Sequence, residues 1–335
     1  MKGSADNSTI PVSQLLSYAD LITMSLYAFS LTIPVCIFGI FSNVANILVF
    51  YKMGFSSASN INLFCLAIAD LLVLCYILLT SLGNHPVFRG AQMTFSMKDV
   101  ARTGALAYYS FSAIGSWITA VINVERSSCV AFPMKVKGIF TRRVVVCLVA
   151  GMVIYQIATG LPRSFGVGFT WTTSPATNRT RVLYRIVNPR LVTASIFASF
   201  SIPTMVCFVV VAFGTIFLIS KFKQSRKLRG SMTGSCSDED SSKLSEKDAR
   251  LVRSVIFICI IYIIGATPNV LIYLVSTAFP VLHADNPFLG NVMLCLLMLG
   301  NMFQSISCSV NIFVYLRMGS RFKQTFKKTI LCHSK

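Results

Sequence analysis

Charged residues are scarce in this sequence. Asp, Glu, Lys and Arg together make up 12% of its 335 residues, whereas a soluble domain carries about 25%. Apolar residues make up 54%, so the composition excludes an ordinary soluble protein and predicts a membrane protein. Acidic residues are the rarest charged type, with 11 against 30 Lys and Arg. We attribute the net charge of +19 to loops that face anionic lipid, and we expect no binding of nucleic acid.

The sequence also lacks the groups on which catalysis or metal coordination usually depends. Its three histidines, His85, His283 and His333, fall in predicted loops or in the C-terminal tail. No cysteine falls in a predicted extracellular segment, so we predict no structural disulfide. We therefore predict that the protein is not an enzyme and has no metal site built from histidine or cysteine.

Seven apolar stretches are each long enough to cross a bilayer, which takes about 20 helical residues. Backbone groups cannot remain unpaired in lipid, so these stretches should be helices. We predict an all-α membrane protein of one domain: an extracellular segment 1–21, a seven-transmembrane helix bundle over 22–316, and a cytoplasmic tail 317–335 with a short amphipathic helix. The apolar stretches are 22–51, 61–82, 103–125, 143–162, 191–220, 254–279 and 288–316.

The distribution of basic residues predicts the orientation of the bundle. Most Lys and Arg fall in loops that become cytoplasmic if the N-terminus is outside, as the positive-inside rule requires. Two glycosylation sequons, at Asn7 and Asn178, lie on one side because four predicted helices separate them. We expect a multi-pass protein of the plasma membrane with an extracellular N-terminus and a cytoplasmic C-terminus.

One inner loop and the tail have features of regulatory segments. Residues 221–253 are rich in serine and contain the acidic run 238–240, which is typical of a mobile loop that kinases could phosphorylate. An unmodified, solvated linker is the alternative. Cys332 follows a basic amphipathic stretch and is either a palmitoylation site or a free thiol.

Acidic residues occur at two places in the apolar stretches, where charge is costly and usually functional. Asp70 stands alone in the middle of the second stretch, and Glu125 and Arg126 adjoin at the end of the third. An unpaired carboxylate in lipid is strongly unfavourable, so Asp70 needs partners or a proton. A carboxylate beside an arginine at the membrane edge forms a pair that a conformational change could open. This pattern favours a signal transducer.

Several motifs, in order along the chain, resemble the rhodopsin-like family of G-protein-coupled receptors. Residues 66–72 read LAIADLL, close to the LAxADLL of the second family helix. Residues 125–127 read ERS, a variant of Asp-Arg-Tyr at the end of the third, and residues 311–315 read NIFVY, a variant of NPxxY in the seventh. Further matching positions are Asn43 in the first helix, Pro203 in the fifth and Pro268 in the sixth.

The resemblance implies a switch at the cytoplasmic end of the bundle. Arg126 would be held by Glu125 or by Asp248 on the sixth helix, and breaking that pair would open the inner face to a heterotrimeric G protein. Arrestin and kinases are further partners that the resemblance suggests. The alternative is an arginine that only reaches lipid phosphate. The remaining switch elements are Asn311 and Tyr315 of the NPxxY-like motif and the helix hinges Pro203 and Pro268.

The resemblance also implies a polar cluster around Asp70, which in relatives holds an allosteric sodium ion. A buried polar group that only packs the helices is the alternative. No other cofactor is expected. The residues of this cluster are Asn43, Asp70, Ser307 and Asn311.

Departures from the family pattern indicate a divergent branch. Ala101 stands near the usual disulfide cysteine, Ala266 replaces the sixth-helix tryptophan, and Ile312 replaces the proline of NPxxY. No Lys occurs between Arg253 and Arg317, so the lysine that binds retinal in opsins is missing. Tyr108 takes the place of the aspartate that binds amines, which disfavours an amine receptor.

The resemblance further implies an extracellular ligand pocket of aromatic and amide groups, which suit a small, weakly polar molecule or a short peptide. We expect a neuropeptide or a chemosensory receptor, and both remain open. A multi-pass transporter of small solutes is the alternative, although no internal repeat is visible. The pocket residues are Tyr108, Tyr109, Ser112, Asn269, Tyr273 and Asn301.

Overall fold

The computed structural model describes residues 16–85, 97–131, 138–174, 179–231, 239–278, 289–318 and 320–330. Within these ranges, seven helices are long and apolar enough to cross a membrane, which confirms the predicted seven-span bundle. We use inner end for the end of the bundle that carries Arg126, and outer end for the opposite one.

The first four spans are single helices: α1 (Tyr18–Met53), α2 (Ala58–Asn84), α3 (Met97–Ala131) and α4 (Arg142–Gly160). The fifth span joins α5 (Pro189–Ile196), a π-helical turn (Phe197–Ser201) and α6 (Ile202–Ser231). The sixth span is α7 (Glu239–Ala278). The seventh is α8 (Gly290–Ser309), continued by α9 (Asn311–Met318), and α10 (Ser320–Ile330) follows it.

Capping groups fix where several helices begin and end. Ser17 Oγ accepts a hydrogen bond from the Asp20 N–H (3.1 Å) at the start of α1. The Asn188 side chain accepts one from the Leu191 N–H (3.1 Å) at the start of α5. Gly54 ends α1 with φ of +80°, a conformation that favours glycine. Each cap satisfies backbone groups that the helix itself leaves unpaired.

The fifth span changes its helical geometry next to a proline. The Ile202 N–H donates to Phe197 O, five residues earlier, and Pro203 follows as the second residue of α6. Proline has no N–H and clashes with the carbonyl four residues back, so a regular ladder cannot continue through it. Pro268 lies inside α7, and Pro34, which the sequence reasoning did not single out, lies inside α1. The hinge roles of Pro203 and Pro268 stay predictions.

The connection between the fourth and fifth spans contains a β-hairpin that the sequence reasoning missed. Two strands, β1 (Val167–Ser174) and β2 (Arg179–Ile186), pair antiparallel after a 3-10 turn (Leu161–Gly166). Gly166 O accepts hydrogen bonds from the N–H groups of Val187 (2.9 Å) and Asn188 (3.0 Å) at the base of the hairpin. Threonine, valine and aromatic residues dominate β1, and these residue types favour strands.

The helices on both sides of the predicted inner loop are longer than expected. The sequence reasoning predicts a mobile loop over 221–253, but α6 continues to Ser231 and α7 begins at Glu239. The expectation of an irregular segment is therefore wrong for most of this range. Lys, Arg, Gln and Glu are good helix formers, so a polar segment next to a span can continue its helix.

The C-terminal α10 confirms the predicted amphipathic helix. Phe322 is 3% exposed and packs against Phe50 and Tyr315, with ring centroids 5.1 and 5.4 Å apart. Arg321 Nη2 donates to Met53 O (3.2 Å), so both an apolar and a polar contact hold α10 against the inner end of the bundle. The exposed basic side chains of α10 include Lys323, Lys327 and Lys328.

Small residues allow the first and seventh spans to approach closely. A Cβ added to Gly39 would lie 2.1 Å from Ser309 Oγ. Ser309 Oγ donates to Val35 O (3.2 Å), and Ser42 Oγ donates to Ser309 O (3.1 Å). Close backbone approach with hydroxyl hydrogen bonds is a common way to hold membrane helices together.

Replacing Gly39 by Ala should destabilise the bundle by about 1–3 kcal/mol, because the added methyl group overlaps Ser309. The matched control is Gly151→Ala in α4, where nothing lies within 4 Å of the added Cβ and alanine favours the helix. Thermal unfolding in detergent micelles compares the two variants. Equal melting temperatures would contradict the close packing of α1 on α8.

Candidate functional site

The glutamate and arginine that end the third apolar stretch form a hydrogen-bonded cluster with α2. Glu125 is 6% exposed and accepts hydrogen bonds from Ser59 Oγ (2.8 Å) and Asn62 Nδ2 (3.2 Å). Arg126 Nη2 lies 3.5 Å from Glu125 Oε1 and donates to Ser59 Oγ. The hydroxyl of Ser59 therefore receives a bond from the arginine and gives one to the glutamate.

Glu125 lies beside the start of α2. Ser59 is the second residue of α2, where the unpaired N–H groups give the helix end a partial positive charge. A buried carboxylate is stable only when its oxygens are hydrogen-bonded. Removing one partner of a buried ion pair costs about 3–5 kcal/mol, whereas exposed pairs contribute about 0–1 kcal/mol. The Arg126 and Glu125 side chains are 16% and 8% exposed, so this partly buried pair should contribute between these two ranges.

A cavity of about 390 Å³ lies beside Arg126 at the inner end. Its walls come from α1, α2, α3, α7, α9 and α10, and Tyr315 forms part of them. Tyr315 is 6% exposed, and Phe50 packs against it edge-on with ring centroids 5.3 Å apart. The residues around this cavity are Ser59, Asn60, Leu63, Ile122, Arg126, Ser254, Ile258, Tyr315, Arg321 and Phe322, among others.

The structure pairs Asp70 with one of its three predicted partners. Asn311 Nδ2 donates to Asp70 Oδ2 (2.9 Å). Asn43 Nδ2 instead donates to Gly39 O (3.0 Å) and Cys308 O (2.9 Å), so this amide ties α1 to α8. Ser307 Oγ donates to Ile261 O (3.2 Å) and so ties α8 to α7.

A small cavity of about 20 Å³ adjoins the Asp70 carboxylate. Asn311 Oδ1 is buried without a hydrogen-bond partner among the described residues. A space of this size holds about one water molecule or one small ion. The residues with side-chain oxygens that line it are Asp70, Ser112, Ser116, Thr119, Tyr262, Gln304, Ser307 and Asn311.

Three of the predicted ligand-pocket tyrosines meet near the outer end. The rings of Tyr109 and Tyr273 both pack against Phe200, with centroids 4.9 and 5.1 Å away, and Tyr108 packs against Tyr109 at 5.5 Å. The Arg163 guanidinium carbon lies 5.2 Å from the centre of the Tyr109 ring, a cation–π distance. Phe200 and Arg163 were missed by the sequence reasoning.

The other three predicted pocket residues lie in three different places. Asn301 Oδ1 accepts a hydrogen bond from Tyr108 OH (3.4 Å), which joins it to the tyrosines. Asn269 Nδ2 donates to Gly300 O (3.2 Å) between α7 and α8. Ser112 lines the cavity beside Asp70 and is therefore part of the polar core.

Four predicted residues are not covered by these contacts. Asp248 falls within α7, but its side chain lies outside the described residues. Asn7, Asn178 and Cys332 also lie outside them. Glycosylation, palmitoylation and the pairing of Asp248 with Arg126 stay predictions.

Asn123, one turn before Arg126, connects three spans and was missed by the sequence reasoning. It is 0% exposed, and its Nδ2 donates to Thr215 Oγ1 (3.0 Å) in α6 and to Cys259 Sγ (3.1 Å) in α7. A Cβ added to Gly214 would lie 1.8 Å from Asn123 Oδ1, so α6 approaches closely here. The sequence feature that could have identified Asn123 is a lone amide within an apolar stretch, because a buried amide needs hydrogen-bond partners.

The structure thus combines seven spans with an ion pair and an adjacent cavity at one end. The family model of the 7 transmembrane receptor (rhodopsin family) matches residues 42–315, most of the chain. The chain therefore belongs to the rhodopsin family of seven-transmembrane receptors, and it is a multi-pass membrane protein. This confirms the resemblance drawn from the motifs.

A Caenorhabditis elegans protein named "Putative G-protein coupled receptor F59B2.13" is 30% identical to this chain over 122 residues. The matched stretch covers 35% of this chain and 28% of that protein. This chain thus spans less than a third of the length of that relative. Neither comparison favours the transporter alternative.

Replacing Asn123 by Ala should lower the stability of the bundle by about 1–3 kcal/mol, because Thr215 and Cys259 lose a buried donor. Ser127→Ala is the matched control one turn away, since Ser127 Oγ makes only long hydrogen bonds of 3.5 Å. Thermal unfolding of both variants in the same detergent measures the difference. If Asn123→Ala melts no lower than Ser127→Ala, Asn123 does not hold the three spans together.

Proposed function

We propose that this protein is a plasma-membrane receptor that binds an extracellular ligand and activates a heterotrimeric G protein. The observation that carries the proposal is the pairing of buried Glu125 with Arg126, which lines a 390 Å³ cavity. Membership of the rhodopsin family supports it, because receptors of that family act through G proteins. The protein would have an extracellular N-terminus, as the basic loops and the two sequons predict.

The resting state would be the arrangement described above, with Arg126 directed to Ser59 and Glu125. An outward movement of the inner half of α7 would widen the cavity beside Arg126 and admit part of the G protein. Pro268 would allow that half to move separately from the rest of α7. The hydrogen bond from Asn123 to Cys259 would break in the same movement, because Cys259 lies on α7.

The ligand would bind near the outer tyrosines. Tyr108, Tyr109 and Tyr273 offer aromatic faces, and Asn301 offers an amide close to Tyr108. Such groups suit a short peptide or a weakly polar small molecule, so the receptor would serve a neuropeptide or a chemosensory stimulus. Kinases and arrestin would act on the inner loop and tail, and lipids would surround the bundle.

The Asp70 site would bind a sodium ion in the resting state. The residues fit such an ion, because Asp70 supplies the counter-charge and Asn311 Oδ1 is a buried acceptor without a partner among the described residues. Ser112, Ser116 and Ser307 line the same 20 Å³ cavity and bring further oxygens. A bound cation would offset the buried carboxylate and stabilise the closed bundle.

Changing the ion pair should change G-protein activation in two opposite directions. Glu125→Gln should raise ligand-independent nucleotide exchange, because the neutral amide holds Arg126 less strongly. Arg126→Ala should reduce exchange to the level of receptor-free membranes, in the native and in the Glu125→Gln background alike. Nucleotide exchange on purified G proteins in reconstituted membranes measures both effects.

Arg142→Ala is the matched control for these variants, since it removes an exposed arginine at the start of α4, away from the pair. It should leave exchange unchanged. Nucleotide exchange at the rate of the native receptor in the Glu125→Gln, Arg126→Ala double variant would refute the proposed switch.

Sodium should stabilise the protein more than potassium at equal ionic strength. At tenfold excess over Kd, bound sodium adds about 1.4 kcal/mol, equivalent to a rise in melting temperature of about 2–4 °C. Asp70→Asn should abolish the difference between the two salts. Asp20→Asn, which neutralises an exposed aspartate at the start of α1, should preserve it. The sodium site is refuted if Asp70→Asn keeps the full difference.

A further inference from the structure

A second cavity, of about 410 Å³, lies on the outside of the bundle between the end of the seventh span and α10. Three cationic and three apolar side chains line this groove. They are Phe313, Leu316 and Arg317 from α9, and Lys323, Phe326 and Lys327 from α10. We call it the α9–α10 groove. It is separate from the cavity beside Arg126, which shares none of these residues.

The cations of the α9–α10 groove have no anionic partner in the described part of the chain. Residues 317–335 contain no Asp or Glu, and the ion pair found within the described residues is that of Glu125 with Arg126. Arg321, by contrast, points to the other side of α10 and bonds Met53 O. Three positive charges that line one groove repel one another, so a bound anion would stabilise them.

Packing anchors the helix that carries two of these cations. Phe322 is buried against Phe50 and Tyr315, and Phe326 stacks on Phe322 with ring centroids 6.3 Å apart. This anchoring sets the rotation of α10. Lys323 and Lys327 are four residues apart and therefore lie on one face of the helix, where both face the groove.

The apolar wall of the groove continues onto the lipid-facing surface of the bundle. Phe313 is 57% exposed and stacks on Phe38 of α1 with ring centroids 5.7 Å apart. Arg317 ends the seventh membrane span, so the groove lies where hydrocarbon gives way to headgroups. Under the proposed orientation this is the inner leaflet, which carries the anionic lipids.

We propose that the α9–α10 groove binds an inner-leaflet lipid with a multiply charged phosphate headgroup. Arg317, Lys323 and Lys327 would hold the phosphates, and Phe313 and Leu316 would contact an acyl chain. Three cations match a polyanionic headgroup better than a single phosphodiester, whose one charge would leave two of them uncompensated. The inference rests on the proposed cytoplasmic position of the C-terminus, but not on coupling to a G protein.

The test uses the full chain in phosphatidylcholine nanodiscs titrated with dioctanoyl phosphatidylinositol 4,5-bisphosphate. Lys323→Gln with Lys327→Gln should weaken binding about 30-fold, because two phosphate contacts are lost. The matched control is Lys221→Gln with Lys223→Gln, which removes the same charge from exposed lysines of α6 and should change affinity less than about threefold. Equal losses in the two double variants would overturn the site in favour of general attraction to a basic surface.

Two further measurements distinguish the occupant. The water-soluble headgroup inositol 1,4,5-trisphosphate should bind at least about tenfold more weakly, because it lacks the acyl chain that contacts Phe313 and Leu316. Binding of the headgroup as tight as that of the lipid would assign the groove to a free phosphate compound. Efficient carbodiimide cross-linking of Lys323 or Lys327 to the acidic run 238–240 in lipid without phosphoinositide would assign it to that segment instead.

Failure of the lipid site and failure of the receptor proposal give different results. If nucleotide exchange depends on Arg126 but lipid binding does not depend on Lys323 and Lys327, only the lipid site is overturned. If lipid binding depends on both lysines but nucleotide exchange is unchanged in the Arg126→Ala variant, only the switch is overturned. Both lysines are exposed, so their replacement should leave the melting temperature unchanged. An unchanged melting temperature would confirm that the variants fold.

Discussion

A buried carboxylate must find hydrogen-bond donors, and at the inner end of this bundle one such carboxylate decides how the helices meet. Glu125 takes its donors from Ser59 and Asn62 of α2, and its charge partner is the adjacent Arg126. The second and third spans therefore cannot separate at this level without exposing or orphaning the carboxylate. Arg126 is directed toward Ser59 of α2 and lines the cavity that also contacts α7 and α9.

A similar requirement applies to a second buried polar side chain of α3. One turn above the ion pair, Asn123 uses a single amide to hold α6 and α7. Glu125 and Asn123 thus point to opposite sides, one toward α2 and the other toward the fifth and sixth spans. The proposed movement of α7 would break the hydrogen bonds of Asn123 directly. It would affect the hydrogen bonds of Glu125 only if Arg126 moved into the newly opened space. A switch requires two stable arrangements, and under the proposed function these two sets of bonds would stabilise the closed one.

The sequence predicts the number of spans and their order because twenty apolar residues in lipid have no alternative to a helix. It also identifies Asp70, Glu125 and Arg126, since charge in such stretches is rare. It does not reveal Ser59 or Asn62, because a hydroxyl and an amide at the start of a helix are ordinary capping residues until a partner helix is placed beside them. Asn43 shows the same limit: its type and position are recognisable, yet its amide bonds the backbone of Cys308. The hairpin was missed because short alternating strands carry a weak signal beside long apolar helices.

The central claim is that the Glu125 cluster keeps the inner end closed, and a distance across that end tests it most directly. Spin labels on unnatural residues at Lys52 of α1 and Phe257 of α7, both exposed, would report the separation of these helices by double electron–electron resonance. The account predicts that a Ser59→Ala, Asn62→Leu variant, which removes the α2 donors, shifts the distribution toward longer distances by several ångströms. An unchanged distribution in this variant, with the fold intact, would contradict it.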